Sequence, residues 1–486
     1  MEESKRLLNA GKITEAFERL KNILPKFEGT QDEWKIHELI GAAFHDLGDA
    51  EGAVQAYLCA VQKDKYLRSQ REHFSNYLFA LHYLNSITNE ELANEHFIYN
   101  DLFENEHLTS DTCSNSKKSK LTIGYIAPNF LESSSARFYE ALLTEYNRDE
   151  FVVKCFSLSH ESDQFTALIH SNVDDMIILE DFSIEEAAQE IVNESVDILF
   201  DLGGHTDGGI TLQIMSYKPA PVQISGIGWF DTTGLKAIDY LLTDNYLAPI
   251  GHEKYFTEKL LRLNGAFAFT PLLGASNSSP DLSLDPRPLP LKSPLTLDFK
   301  ITFGCFNNFM KVTDDYLKCV KKILSKVQNS KFIMQDTTMI PSRKTEMEKR
   351  LKALHLPIGR IEVRLGNDDY LNDYTSIDIM LDTFPYNGGT MTATALYMGV
   401  PVISLYGTRH SSRFGANILR LAGMSELIAN DQKEYINKAV SLAEEQNKLI
   451  ELKKTLRERL NKSKLLDRKS FVTELEYHYK RMVDDR

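Results

Sequence analysis

The chain has 486 residues, 42% hydrophobic and 26% charged, an ordinary globular composition with length for two to four domains of about 100–200 residues each. Its net charge of −14, from 55 basic and 69 acidic residues, disfavours nonspecific binding to nucleic acid or a membrane surface. No run of about 18 apolar residues offers a membrane span, and the start MEESKRLLNAGK lacks the apolar core of a secretory signal. The five cysteines form no C-x-x-C pair, which argues against a disulfide framework or structural zinc, so a reduced, cytosolic protein is expected.

Residues 1–110 read as helical. Ile40, Gly41, Phe44, Gly48, Ala53, Tyr57 and Ala60 fall at tetratricopeptide spacing, a helix–turn–helix of about 34 residues in which small side chains let two helices approach. Gly11, Ala16 and Leu20 repeat half of that pattern, and a generic helical bundle is the alternative. The polar stretch His107–Lys120 then marks a boundary. From 120 to 275 the apolar runs LTIGYIA, FVVKCFSL, DMIILE, VDILFDL, PVQISGI and DYLLTD alternate with helical spacing, as the βαβ units of a parallel sheet do. Pro271–Leu297, with six prolines, reads as an extended linker. A second α/β series over 298–463 has ITFGCF, KFIMQD, RIEVRL, DIMLDTF and PVISLYG as strands, and 464–486 is a final helix. The expected class is therefore α/β with an all-α N-terminal part, built on two Rossmann-like domains with ligands at the carboxyl ends of the strands.

The strongest local signal is LDTFPYNGGTMTATALYMGVP, a strand, a turn through Gly388 and Gly389, and a helix from Thr390. Such a turn lets a phosphate meet free N–H groups and the positive end of the helix, with Thr390 and Thr392 as added donors; an ordinary tight turn is the alternative. In GCFNNFMKVT, Asn308 and Lys311 follow a strand, where a lysine can neutralise a diphosphate or simply face water. Arg413 is a further cation at a helix start. His205, in FDLGGHTDGG at another strand end, is either a proton acceptor or a hydrogen-bonded structural histidine. There is no P-loop, no G-x-G-x-x-G after a first strand, and no D-x-D pair for a metal-chelated diphosphate. A sugar-nucleotide enzyme here needs cations and helix dipoles in place of a metal ion.

These blocks, with LTIGYIAPNF, YKPAPVQISGIGWFDTTGL, IDYLLTD and TEKLLRL, occur in an order that resembles glycosyltransferase family 41, the O-linked N-acetylglucosamine transferases of proteins and their bacterial relatives. The resemblance implies a GT-B fold, with the nucleotide held by the second Rossmann-like domain and the C-terminal helix packed back toward the first. It implies an inverting, metal-independent transfer from UDP-GlcNAc to a Ser or Thr hydroxyl of a protein, with no cofactor. Lys311 matches the lysine at the diphosphate, Asn308 its nucleotide-contacting neighbour, and Gly388, Gly389 and Thr390 the phosphate turn.

Departures from the family pattern are specific. The loop commonly read D-F-x-x-H is Asn129-Phe130-Leu131-Glu132-Ser133 here, so the proposed base histidine is a serine, and His205 is the candidate replacement. Tyr370 stands at a frequent histidine near the base, Met391 at a threonine, Thr394 at an acidic residue near the ribose, and Lys218 at an arginine. Transfer of glucose or fucose, or a weak relative that binds nucleotide or protein as a scaffold, are the alternatives. Compact bacterial relatives make flagellin or another surface protein the expected kind of acceptor.

Overall fold

The computed structural model describes residues 1–103, 119–271 and 301–484. The stretches expected as a boundary and a linker lie, apart from their end residues, outside the described residues. The chain forms two compact units, each built on one parallel sheet. The described residues of the first-sheet unit fall within 67–79, 88–271 and 464–484, and those of the second-sheet unit within 1–66, 80–87 and 301–463.

Six helices lead the chain: α1 Glu2–Asn9, α2 Ile13–Ile23, α3 Glu33–Leu47, α4 Ala50–Lys63, α5 Leu67–Leu81 and α6 Asn89–Tyr99. Helices α3 and α4 pack as the small residues dictate. A Cβ on Gly41 would stand 2.6 Å from the Tyr57 ring, and one on Gly52 2.5 Å from the Phe44 ring. Gly48 closes α3 in the left-handed region (φ 80°), a conformation that costs glycine little, and Asp49 caps α4 through the Gly52 N–H. The helical residues expected as one N-terminal domain are thus shared out: α1–α4 belong to the second-sheet unit, α6 to the first-sheet unit, and the chain changes unit within α5.

In the first-sheet unit the strands are β1 Leu121–Ala127, β2 Phe151–Ser157, β3 Asp175–Ile178, β4 Ile198–Asp201, β5 Val222–Ser225, β6 Tyr240–Asp244 and β7 Lys259–Leu263. They pair in parallel in the order β3-β2-β1-β4-β5-β6-β7. Helices α7 Ala136–Thr144, α8 Gln164–Asn172, α9 Ile184–Asn193 and α10 Ile210–Met215 connect them. Capping boxes Asp163–Thr166 and Ser183–Glu186 start α8 and α9 by satisfying N–H groups that have no partner within the helix.

The second-sheet unit carries β8 Ile301–Phe306, β9 Ser330–Gln335, β10 Ile361–Arg364, β11 Ile379–Leu381, β12 Val402–Leu405 and β13 Ile428–Ala429, in the order β10-β9-β8-β11-β12-β13. Its helices are α11 Asp314–Lys326, α12 Pro341–Ala353, α13 Tyr370–Asp373, α14 Thr390–Tyr397, α15 Phe414–Leu421, α16 Gln432–Glu444 and α17 Gln446–Asn461. The last helix, α18 Arg468–Asp484, belongs to the first-sheet unit, where the Tyr479 hydroxyl lies 3.2 Å from that of Tyr125 on β1. Among the described residues no helix is long and apolar enough to cross a membrane.

Candidate active site

In the second sheet the chain order reverses between β8 and β11, and ligands of doubly wound sheets sit at the carboxyl ends of the strands flanking such a point. The loop after β8 carries Asn307, Asn308 and Lys311; the loop after β11 carries Asp382 through Gly389. The two motifs that sequence reading singled out therefore meet at one edge. Lys311 Nζ donates to the Asn387 carbonyl at 3.0 Å and lies 4.2 Å from the centre of the Tyr386 ring. Burial pulls its ammonium down to about 8, against the attraction of Asp382.

Asp382 organises the turn. Its carboxylate accepts the Gly388 N–H at 2.7 Å and the Ser404 hydroxyl from β12 at 2.6 Å, with no exposure to solvent. Burial raises it to about 6, with the two hydrogen bonds and Lys311 acting in the other direction. A Cβ on Gly388 would stand 2.8 Å from Asn307 Nδ2 and Thr392 Oγ1 and 2.9 Å from Asp382 Oδ1, so any larger residue displaces these buried polar side chains. Asn387 ties the turn down, donating to the Thr383 carbonyl at 2.8 Å and accepting from Gly415 N–H at 3.3 Å. Gly389 then leads into α14 with no side-chain cap, leaving first-turn N–H groups for a ligand. Thr390 is the first helical residue, and the buried hydroxyls of Thr392 and Thr394 find no partner among the described residues.

The remaining candidates are placed as follows. Asn308 Oδ1 is committed to the Met310 N–H and to Arg343, so its amide nitrogen is the group left for a ligand. Tyr370 opens α13, half-buried, after β10 on the same edge of the sheet. Arg413 is buried at the start of α15, donating to the Gly407 carbonyl at 2.9 Å and lying over the Tyr406 ring; it shapes its own loop instead of presenting an open cation.

His205 belongs to the first-sheet unit, and there the expected proton acceptor needs correction. The ring is fully buried: Nε2 donates to the Thr233 carbonyl at 2.9 Å, and Nδ1 faces the Ser75 hydroxyl at 2.9 Å. Tyr99 and Trp229 close around it, with ring centres 4.7 and 4.9 Å away. Burial, then the nearby His96, holds its pKa well below the usual imidazole value. Buried and with both nitrogens occupied it is a structural histidine, a role not visible in the sequence because the residues that bury it come from segments far from residue 205. Ser133, at the position of the family's loop histidine, accepts the Ala136 N–H at 3.2 Å at the start of α7. Lys218 is likewise structural, donating to the Ala237 carbonyl and paired with Asp239.

Sequence reading missed Asp382, Asp336, Arg343 and Tyr386. Asp382 and Asp336 lie just beyond strand ends and Arg343 in the first turn of α12, and spacing alone does not reveal their partners.

Two doubly wound parallel sheets with a glycine turn, a lysine and an uncapped helix start at the switch point of the second give the GT-B class of glycosyltransferase fold. Within that class, the family described as Glycosyl transferase family 41 matches residues 91–270 and 295–475, and the chain belongs to it. A probable UDP-N-acetylglucosamine–peptide N-acetylglucosaminyltransferase SPINDLY from Solanum lycopersicum is 32% identical over 418 residues, covering 84% of this chain and 44% of the relative. The corresponding SEC protein of Arabidopsis thaliana is 28% identical over 370 residues, covering 75% and 37%. The chain thus spans less than half the length of these curated relatives. A mutant O-GlcNAc transferase structure from Thermobaculum terrenum superposes with a TM-score of 0.86 at 27% identity, covering 98% of this chain and 88% of that one.

Proposed function

We propose that this chain transfers N-acetylglucosamine from UDP-GlcNAc to Ser or Thr hydroxyls of a protein acceptor, with inversion and without a metal ion. The observation that carries the reading is the Lys311 ammonium held 3.0 Å from the Asn387 carbonyl, beside the glycine turn and uncapped start of α14. A cation and a set of N–H groups fixed at one place stabilise the charge that builds on a departing diphosphate, which is where pre-organised electrostatics act most strongly. In the transfer the acceptor oxygen forms the new bond to the anomeric carbon, the bond to the UDP oxygen breaks, and the hydroxyl proton passes to solvent or to a base other than His205. The names of the relatives support the donor and the peptide acceptor. Flagellin or another surface protein is the proposed acceptor. The free cysteines Cys59, Cys155, Cys305 and Cys319 fit a reducing, cytoplasmic setting.

A second reading changes the sugar nucleotide. Thr394, where the family places an acidic residue near the ribose, buries an unpartnered hydroxyl, and Tyr370 replaces a histidine near the base. Both changes alter hydrogen bonding around the nucleotide while leaving the phosphate turn intact. The test is nucleotide release from UDP-GlcNAc, UDP-glucose and a fucose nucleotide, each with a chelator present. Release from UDP-GlcNAc supports the first reading, and release confined to another donor replaces it with the second. Nucleotide binding without release or transfer, with an acceptor supplied, turns the chain into a binding scaffold.

A further inference from the structure

Arg343, the third residue of α12, is 1% exposed, and three groups from three parts of the second-sheet unit share its guanidinium. Its Nε pairs with the buried Asp336 just beyond β9, one terminal nitrogen donates to Asn308 Oδ1, and the other reaches the His45 carbonyl near the end of α3 at 3.3 Å. Asp336 in turn accepts the Phe309 N–H at 3.1 Å, and Asn308 Oδ1 accepts the Met310 N–H at 2.9 Å. The single helical turn Phe309–Lys311, which delivers Lys311, is therefore held from both sides by a network centred on one guanidinium. A second contact joins the same partners: the position of a Cβ on Gly48, in the α3–α4 turn, lies 3.8 Å from the Phe309 backbone. Arginine suits the place because its planar fork offers five donors in fixed directions, whereas a lysine offers one point charge. A buried charged group also strongly resists losing any single partner.

We propose that Arg343 is a positioning residue for the nucleotide site and that, through it, the α3–α4 hairpin forms part of that site. The proposal rests on the assignment of Lys311 and Asn308 to the donor. The hairpin then does more than present a surface to an acceptor. A shift at the end of α3 either carries Asn308 and the Lys311 turn with it or breaks a buried hydrogen bond.

The test compares Arg343→Lys, Lys311→Ala and the double variant in the full chain by equilibrium UDP binding, initial rates and thermal unfolding. Arg343→Lys keeps a charge opposite Asp336 and removes the fork. Its expected signature is about tenfold weaker UDP binding and a raised KM for donor, with kcat at saturation within about threefold. The double variant is expected to lose clearly less than the product of the two single losses, because both changes act in part through the Lys311 turn. A general loss of stability lowers the folded fraction and does not produce this split. UDP affinity within twofold of the parent in Arg343→Lys, beside a weakened Lys311→Ala, overturns the proposal alone, and so do losses that multiply in the double variant. Unchanged affinity in Lys311→Ala overturns the donor-site assignment and this proposal with it. For the hairpin, Gly48→Val, which strains a left-handed position, is expected to weaken UDP binding severalfold, whereas Gly48→Asn, tolerated in that region, spares it. Equal, parent-like affinity in both removes the hairpin from the site.

Discussion

In each sheet the fourth strand in line leads to a buried carboxylate that bonds to the next strand and to the turn that follows. Asp201 ends β4, accepts the Gly203 and Gly204 N–H groups at 2.9 and 3.0 Å, and takes the Ser225 hydroxyl of β5 at 2.7 Å. Asp382 follows β11, accepts the Gly388 N–H and takes the Ser404 hydroxyl of β12. Both carboxylates have their pKa raised by burial. The turns beyond them diverge. After Asp201 the space is filled by His205, Trp229, Tyr99 and Ser75, with Ser75 between His205 and Tyr99 and the other ring N–H groups on the Thr232 and Thr233 carbonyls. After Asp382 the turn borders the Lys311 ammonium and leads into α14, whereas α10 after the first turn is equally uncapped but meets no such cation among the described residues. One device thus serves a packed interior in one sheet and, in the other, the edge proposed for the nucleotide.

The sharpest way to break this comparison is Lys311→Ala, for which UDP affinity is expected to fall about 10- to 100-fold, the range for losing a charge-assisted contact to phosphate. An unchanged affinity in calorimetry would remove the distinction between the two turns. The same lysine sets a pH limb. With its folded pKa near 8 it is protonated below that value and loses its charge above it, so UDP binding should weaken as pH rises past about 8. Lys311→Arg should flatten the limb, because a guanidinium stays charged throughout. Titrations at several pH values check both.

A paired substitution at the carboxylates comes next. Asp382 titrates near 6 in the folded chain against 3.8 unfolded, so the folded state binds more protons between those values. Stability should therefore fall as pH rises from about 4 to 6, by roughly 2–3 kcal/mol from this group, and Asp382→Asn should remove that slope. Asp201→Asn should alter unfolding and leave UDP affinity within twofold, whereas Asp382→Asn should weaken UDP binding severalfold through the Gly388 turn. Equal effects on binding would make the two turns equivalent.

His205 gives a smaller effect of the opposite kind. Replacing it with Phe should cost about 1–3 kcal/mol by removing the donor to the Thr233 carbonyl and one of Ser75's two partners, while UDP affinity is kept. Its folded pKa lies below the unfolded 6.5, so the parent loses stability as pH falls through and below that value, and the variant should lose this part of the slope. Chemical denaturation at pH 7.5 and 5.5 reads both. Ser133→Ala should have the least effect, about 1 kcal/mol or less from the lost hydrogen bond to the Ala136 N–H, with donor binding unchanged.

Much of this architecture was readable in the chain itself. Strands buried on both faces, such as LTIGYIA and ITFGCF, and the glycine turn before Thr390 carry their own local signals, and family membership followed from their order. The two-residue β13 is too short to show a pattern, and the helices α8, α16 and α17 drew no assignment although Leu449, Leu452, Leu456 and Leu460 of α17 recur at helical spacing. His205 and Lys311 look alike in sequence, each a basic residue beyond a strand. Only the side chains arriving from α5 and α6 tell them apart, and nothing near residue 205 encodes that arrival. Helical periodicity likewise says that a face is buried but not against which sheet, so the division of the first hundred residues was illegible.

That division bears on how the molecule can be cut. The described chain changes unit between 66 and 67, 79 and 80, and 87 and 88, from 271 to 301, and again between 463 and 464. A fragment begun at Leu121, as if repeats and catalytic part were separable modules, would strip Ser75 and Tyr99 from around His205, and Tyr83 from beside Tyr386. Each half would be left with a hole in its own interior. Expression boundaries, inserted tags and chimeras should therefore preserve α5 and α6, which are integral to the two sheet units although they carry no clean repeat pattern.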